Sequence, residues 1–195
     1  PDMKKMLFAS LLGAAMASAA SAVPVQYEVD LTGAAYTYDG VVISSTVAPE
    51  AANAQVLYLG WSDVEADVYH NPGAVWENWG MEAFIGAWME DSAAPGFDYY
   101  GGYPFPDDLG PTGGEGSVLH LGPASNEFDL TGGAYFLDEF GTIEFFARTT
   151  YDDGTGMPAG QFTAGTLYMV VDIIPAPGAF ALFGAAGLVA GRRRR

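Results

Sequence analysis

The stretch Asp63–Tyr69, DVEADVY, sorts its side chains by strict alternation: Asp63, Glu65 and Asp67 on one side, Val64, Ala66 and Val68 on the other. A period of two is the geometry of an extended strand, and this one has a dry face and a wet, acidic face. Val25–Leu31 (VQYEVDL) alternates in the same way. Ala54–Leu59 is rich in β-formers, and Ala34–Tyr38 and Val41–Val47 flank Asp39-Gly40, a dipeptide that predicts a hairpin turn between them. Ser117–Leu121, Asn126–Leu137, Thr142–Thr150 and Gly165–Ile173 read as further strands, and Asp91–Gly116, rich in Gly, Pro, Asp and Tyr, as a long loop. Trp76 and Trp79 have near-helical spacing, but Gly80 and Gly86 each weaken a helix by about 1 kcal/mol. Glu82–Trp88 therefore reads as a strand. About eight to ten short strands fit an all-β fold, an antiparallel β-sandwich of which a jelly roll is one form. The alternative is an α+β domain with one helix near Trp76–Trp88.

One pattern occurs twice. Val29-Asp30-Leu31-Thr32-Gly33-Ala34-Ala35-Tyr36 resembles Phe128-Asp129-Leu130-Thr131-Gly132-Gly133-Ala134-Tyr135. Two copies are too few for a repeat architecture, but equivalent strands in two packed sheets would explain them, as would chance.

The two ends differ from what lies between. Met3-Lys4-Lys5 is a short basic start, Met6–Met16 is apolar, and Ala20-Ser21-Ala22 is an A-x-A cleavage signal that leaves Val23 as the new N-terminus. Residues 1–22 thus read as a secretory signal peptide with a helical apolar core. At the other end, Gly178–Gly191 carries no charged residue and is followed by Arg192, Arg193, Arg194 and Arg195. As a helix this run reaches about 21 Å, short of the roughly 30 Å hydrocarbon core, although arginines can snorkel to lengthen it. Four arginines act as a membrane stop and bias that end toward the cytoplasm.

Between the ends, residues 23–174 suit one domain with a sizeable core. Of the 24 acids only Asp2 lies outside this region, and of the seven bases only Arg148 lies inside it, so its net charge is about −22. Such a surface repels nucleic acid and anionic membranes. The chain has no cysteine, which excludes thiol catalysis and thiolate metal sites and leaves stability to the core.

Pro175-Ala176-Pro177, the short apolar helix and the arginine cluster together resemble the PEP-CTERM sorting tail of bacterial surface proteins. Ala176 stands where that family usually has Glu. The resemblance covers about a tenth of the chain, residues 175–195. It implies a precursor anchored transiently in the membrane and handled by signal peptidase and an exosortase. The latter, a membrane-embedded cysteine transpeptidase-like enzyme, would cut near the Pro-x-Pro motif and release or re-attach the protein outside.

No H-E-x-x-H, G-x-S-x-G, P-loop or dinucleotide fingerprint is present, and His70 and His120 lie far apart. Arg148, alone on a strand among acids, predicts a structural carboxylate pair. Two stretches suit binding. Tyr99, Tyr100 and Tyr103 in FDYYGGYPF, with Asp107 and Asp108 after them, offer rings that stack on sugars beside carboxylates that accept from hydroxyls; alternatively, the rings fold down over the open end of the sandwich. Asp152 and Asp153 are candidates for calcium, although Asp152-Asp153-Gly154 lacks the full EF-hand loop and an ordinary turn also accounts for it. The expectation is a secreted, non-enzymatic protein of the cell surface or extracellular matrix with a structural or interaction role. A carbohydrate-binding module of the exopolysaccharide matrix is the alternative. An extracellular hydrolase would need two carboxylates converging in a cleft.

Overall fold

Glycine-, proline- and aspartate-rich turns separate ten strands among the described residues. The computed structural model describes residues 22–75, 77–91, 97–105 and 109–174. In chain order the strands are β1 (Val23–Asp30), β2 (Ala35–Tyr36), β3 (Val41–Val47), β4 (Gln55–Tyr69), β5 (Ala83–Asp91), β6 (Phe97–Gly102), β7 (Val118–Asp129), β8 (Tyr135–Phe136), β9 (Thr142–Thr149) and β10 (Gly160–Ile173). All pair antiparallel in one sheet, ordered β1-β10-β4-β8-β5-β9-β3, with β2 beside β10, β6 beside β5 and β7 beside β4. The sheet curls until it is nearly closed into a barrel-like shape. Short β8 joins the two halves, pairing Phe136 with Gln55 of β4 and with Glu90 of β5. Among the described residues there is no α-helix, only two single 3-10 turns at Pro49–Ala51 and Gly80–Glu82. The expected signal helix and C-terminal apolar helix lie outside the described residues.

The core is the inner face of this curl. In β10, Phe162, Leu167, Met169 and Val171 are fully buried, while their neighbours in sequence are half-exposed. In β4 the two segments expected as separate strands are one. Its alternation is reset at Asp63, whose φ of 51° marks a bulge where the register with β7 shifts between Trp61 and Val64. The bulge lets Trp61 and Val64 both face inward although they are three positions apart, an odd spacing that a regular strand would send to opposite faces. The acidic side of Asp63–Tyr69 faces out, as its alternation requires.

Three other expectations change. Asp39-Gly40 does form a turn, but its flanking strands do not pair with each other: β2 pairs with β10 and β3 with β9. Asp91–Gly116 is not one loop, because β6 folds back on β5, the strand expected at Glu82–Trp88, which runs from Ala83 to Asp91. Asn126–Leu137 is broken by the turn after Asp129.

The repeated octapeptide marks a two-fold arrangement of the whole fold. β1-β2-β3-β4 and β7-β8-β9-β10 are successive units of the same design. β1 flanks β10 and β7 flanks β4, so the order β1-β10-β4-β7 reads alike from either end. β2 meets the start of β10 at Gly160 as β8 meets the start of β4 at Gln55. The turns match in detail. The Asp30 Oδ1 accepts the Thr32 N–H at 2.8 Å and the Asp129 Oδ1 that of Thr131 at 2.9 Å. Leu31 and Leu130 then plug the core. β3 pairs with β9 and β4 with β10 across the approximate axis. The β5–β6 hairpin lies between the units and covers the free edge of β9.

Candidate functional site

The outer face of β6-β5-β9-β3 carries an aromatic cluster that does not belong to the core. Thr142–Thr149 alternates: Ile143, Phe145 and Ala147 face the core, which sends Glu144, Phe146 and Arg148 outward. On β5, Ile85 and Ala87 are core residues, and Phe84 and Gly86 face out. Cross-strand neighbours share a face. Phe84 lies opposite Arg148, Gly86 opposite both Phe146 and Gly101, and Trp88 opposite Tyr99.

Gly86 and Gly101 leave a flat floor, and the rings occupy the room. Tyr99 leans on Phe146 with ring centroids 4.1 Å apart, and Tyr103 meets Phe84 edge-on at 5.2 Å. A Cβ on Gly86 would collide with the Tyr100 carbonyl and come to 3.0 Å from the Phe146 ring. The Arg148 guanidinium sits 5.0 Å from the Phe84 centroid, a cation–π contact where the sequence suggested a carboxylate pair. The Tyr99 hydroxyl donates to Glu144 Oε1 at 3.4 Å. Burial, then the Glu144 charge, pushes the Tyr99 hydroxyl pKa upward, with Arg148 opposing, so at neutral pH it remains a donor.

Phe84 and Phe146 are nearly covered, whereas Tyr99 and Tyr103 are 48% and 45% exposed. Beside them a shallow depression of about 140 Å³ is lined by Tyr38, Val42, Tyr99, Phe146, Arg148 and Asp39, among others. The arrangement offers two exposed phenol rings on a rigid floor, ringed by a guanidinium and two carboxylates.

Of the three expected tyrosines, Tyr99 and Tyr103 thus share one surface, but Tyr100 does not. It follows Tyr99 directly in the strand, so its ring turns to the opposite side and packs on Phe128 and Tyr135 at 5.9 and 4.9 Å. Asp107 and Asp108 lie outside the described residues. Sequence reasoning missed Phe84, Phe146 and Arg148 as parts of the surface; the alternation in Thr142–Thr149 is the signal that places the last two outward.

The calcium candidates are otherwise engaged. Asp153 is 5% exposed and gives both oxygens to protein donors: Oδ2 accepts from Asn71 and Asn78 amides at 2.9 and 3.1 Å, and Oδ1 from the Thr155 N–H and hydroxyl at 2.9 and 2.7 Å. Burial works against its charge, but these bonds outweigh it and hold the carboxyl below its usual pKa. Asp152 accepts the Gly154 N–H at 2.8 Å in the adjacent turn. Among the described residues no three His, Asp or Glu side chains converge as a metal centre. His120 on β7 pairs with the acidic face of β4, its Nδ1 2.9 Å from Asp67 Oδ1, and His70 Nδ1 lies 3.1 Å from the Gly113 carbonyl.

The chain matches no family model, and no curated protein is detectably similar to it in sequence.

Proposed function

We propose that this is a secreted, non-catalytic protein of the cell surface or extracellular matrix, and that the Tyr99/Tyr103 face is its contact with matrix polysaccharide. The observation that carries the reading is the cluster itself: two phenol rings held half-exposed on a strand floor that needs neither of them for its core. Sugar rings present apolar C–H faces that stack on such phenols, and their hydroxyls suit Arg148, Asp39 and Glu144 at the margin. The strands β1-β10-β4-β7 and β3-β9-β5-β6 support a sandwich of two four-stranded halves bridged by β8.

The binding test is titration calorimetry against a panel of neutral and acidic exopolysaccharides. Tyr99→Ala with Tyr103→Ala should weaken binding by about tenfold to hundredfold, as loss of two central aromatic anchors does. Tyr100→Phe, on the other side of the sheet, should not. Undiminished binding in the Tyr99/Tyr103 double variant would place the contact elsewhere.

The delivery proposal rests on the two ends: the signal peptide to Ala22, then the Pro175-Ala176-Pro177 tail handled by an exosortase, with transient membrane anchoring of the precursor. Intact mass of the protein from surface and medium fractions should begin at Val23 and end near Pro175. A mass that retains Arg192–Arg195 would mean a permanent anchor and end the sorting assignment.

A further inference from the structure

We propose that the polysaccharide site continues past Tyr99, over the exposed Tyr38 ring and into a second hollow beyond it, and that its ligand is an uncharged chain of several sugars. The extended site rests on the polysaccharide reading and gives its ligand a class and a length. Two depressions meet at one turn. The one beside Tyr99 and Arg148, and a second of about 80 Å³, are both lined by Tyr38 and Asp39. The second is lined further by Tyr151, Asp152 and Met157.

The turn that divides them is fixed. The Thr37 carbonyl accepts the Gly40 N–H at 3.1 Å and the Thr149 N–H at 2.9 Å, so one oxygen closes the turn and ties it to the end of β9. Gly40 completes it with a φ of 81°, where a side chain would be strained. Tyr38 projects from this turn 56% exposed and belongs neither to the core nor to the residues packed against it. The Asp39-Gly40 turn, which joins no hairpin, thus holds a phenol ring as a ridge between two hollows.

Size and charge select what crosses that ridge. The second hollow is far below the roughly 300 Å³ of a closed ligand pocket. It admits the edge of a sugar and not a whole ring, so a ring seated there leans on Tyr38 with its hydroxyls turned inward. The wall they meet is rich in acceptors. Asp39 and Asp152 bring carboxylates. Asn78, 1% exposed, directs its amide N–H groups to the Tyr69 carbonyl and to Asp153, and its Oδ1 has no donor among the described residues. Sugar hydroxyls supply donors to such a wall. A uronic acid would instead set a carboxylate against carboxylates, on a domain whose net charge is about −22.

Titration calorimetry of the full-length protein with oligomers of two and six sugars tests both parts. The neutral probes are gluco-, manno- and galacto-oligosaccharides. The acidic probes are the corresponding uronates, which carry a carboxylate in place of the hydroxymethyl group. The best neutral hexamer should bind about tenfold or more tighter than its dimer, and about tenfold or more tighter than its uronate counterpart. Tyr38→Ala should lower hexamer affinity about tenfold and leave the dimer unchanged, whereas Tyr38→Phe, which keeps the ring, should retain the gain. Asp39→Asn with Asp152→Asn should narrow the gap between neutral and uronate hexamers. Tyr99→Ala with Tyr103→Ala should weaken dimer and hexamer alike. Wild-type protein that binds neither series would end the polysaccharide reading itself. Equal affinity for dimer and hexamer, or a hexamer indifferent to Tyr38→Ala, would overturn the extended site and leave the Tyr99/Tyr103 contact standing. Uronates bound as tightly as neutral chains would overturn the uncharged class.

Discussion

Replacing Phe162 by alanine should cost about 3–5 kcal/mol of stability, the usual range for a buried phenylalanine. Its ring is fully buried on β10 and packs on Tyr36 with centroids 5.1 Å apart. The backbone around it is locked as well: the Phe162 N–H donates to the Ala34 carbonyl at 2.8 Å, and its own carbonyl accepts from Gly33 at 2.9 Å. The surroundings therefore have little freedom to close on the cavity. The Tyr36 hydroxyl donates to the Asp67 carbonyl at 3.1 Å, so a settling of Tyr36 into the void would also break a hydrogen bond. With no disulfide to limit the unfolded ensemble, a loss of this size is a large share of the typical ~5–15 kcal/mol total. Urea unfolding followed by tryptophan fluorescence measures it, and a loss below about 1 kcal/mol would contradict the packing described for this ring.

Asp153→Asn should destabilise by about 2–4 kcal/mol at neutral pH, although it removes no atom of bulk. The carboxylate collects four donors, two of them from the buried amides of Asn71 and Asn78. An asparagine there has a single acceptor oxygen and would aim its own N–H groups at the other donors. The pH dependence identifies the cause. The Asp153 carboxyl lies below its ordinary value near 3.8 in the folded protein. A depressed carboxylate contributes stability that is present above the unfolded pKa and lost as pH falls through the folded one. The gap between wild type and variant should therefore be full at pH 7 and narrow below about pH 4. A gap that persists unchanged at pH 2.5 would assign the loss to shape and not to charge. Asp138 behaves in the same sense: burial opposes its charge, but the N–H groups of Thr142 and Phe140 at 2.7 and 3.1 Å hold it ionised.

Local pattern carried much of the strand assignment, because alternation is a local signal. Asp63–Tyr69, Thr142–Thr149 and the end of β10 were readable since each has a buried face against a wet one. Pairing was not readable. Asp39-Gly40 has the chemistry of a hairpin turn and does turn the chain, yet the partners of its flanking strands lie far away in sequence, from Val47 opposite Thr142 to Ala35 opposite Gln161. The β6 strand was hidden for a different reason: Gly101 and Gly102 read as loop residues, but a side chain on Gly101 would collide with the Ile85 carbonyl of β5, and one on Gly102 would meet the Phe128 and Trp61 rings. On the aromatic face, Tyr99 and Tyr103 could be singled out by composition. Separating Tyr100 from them required knowing that FDYYGG is a strand. The engagement of Asp153 was not readable because its donors Asn71 and Asn78 lie about 80 positions earlier and are visible only in the fold.

The position of β10 has a consequence for the order in which the molecule can form. The last of the described strands lies between the first and the fourth, with Val23 opposite Ile173. Until residue 173 has emerged, β1 has no partner strand among those described and β4 lacks one of its flanks. The chain therefore cannot condense from its N-terminus as it is made, and contacts that span nearly its whole length must close last and slowly. Until β10 has emerged the half built on β1 and β4 stays open, although β3, β9, β5 and β6 can already pair with one another.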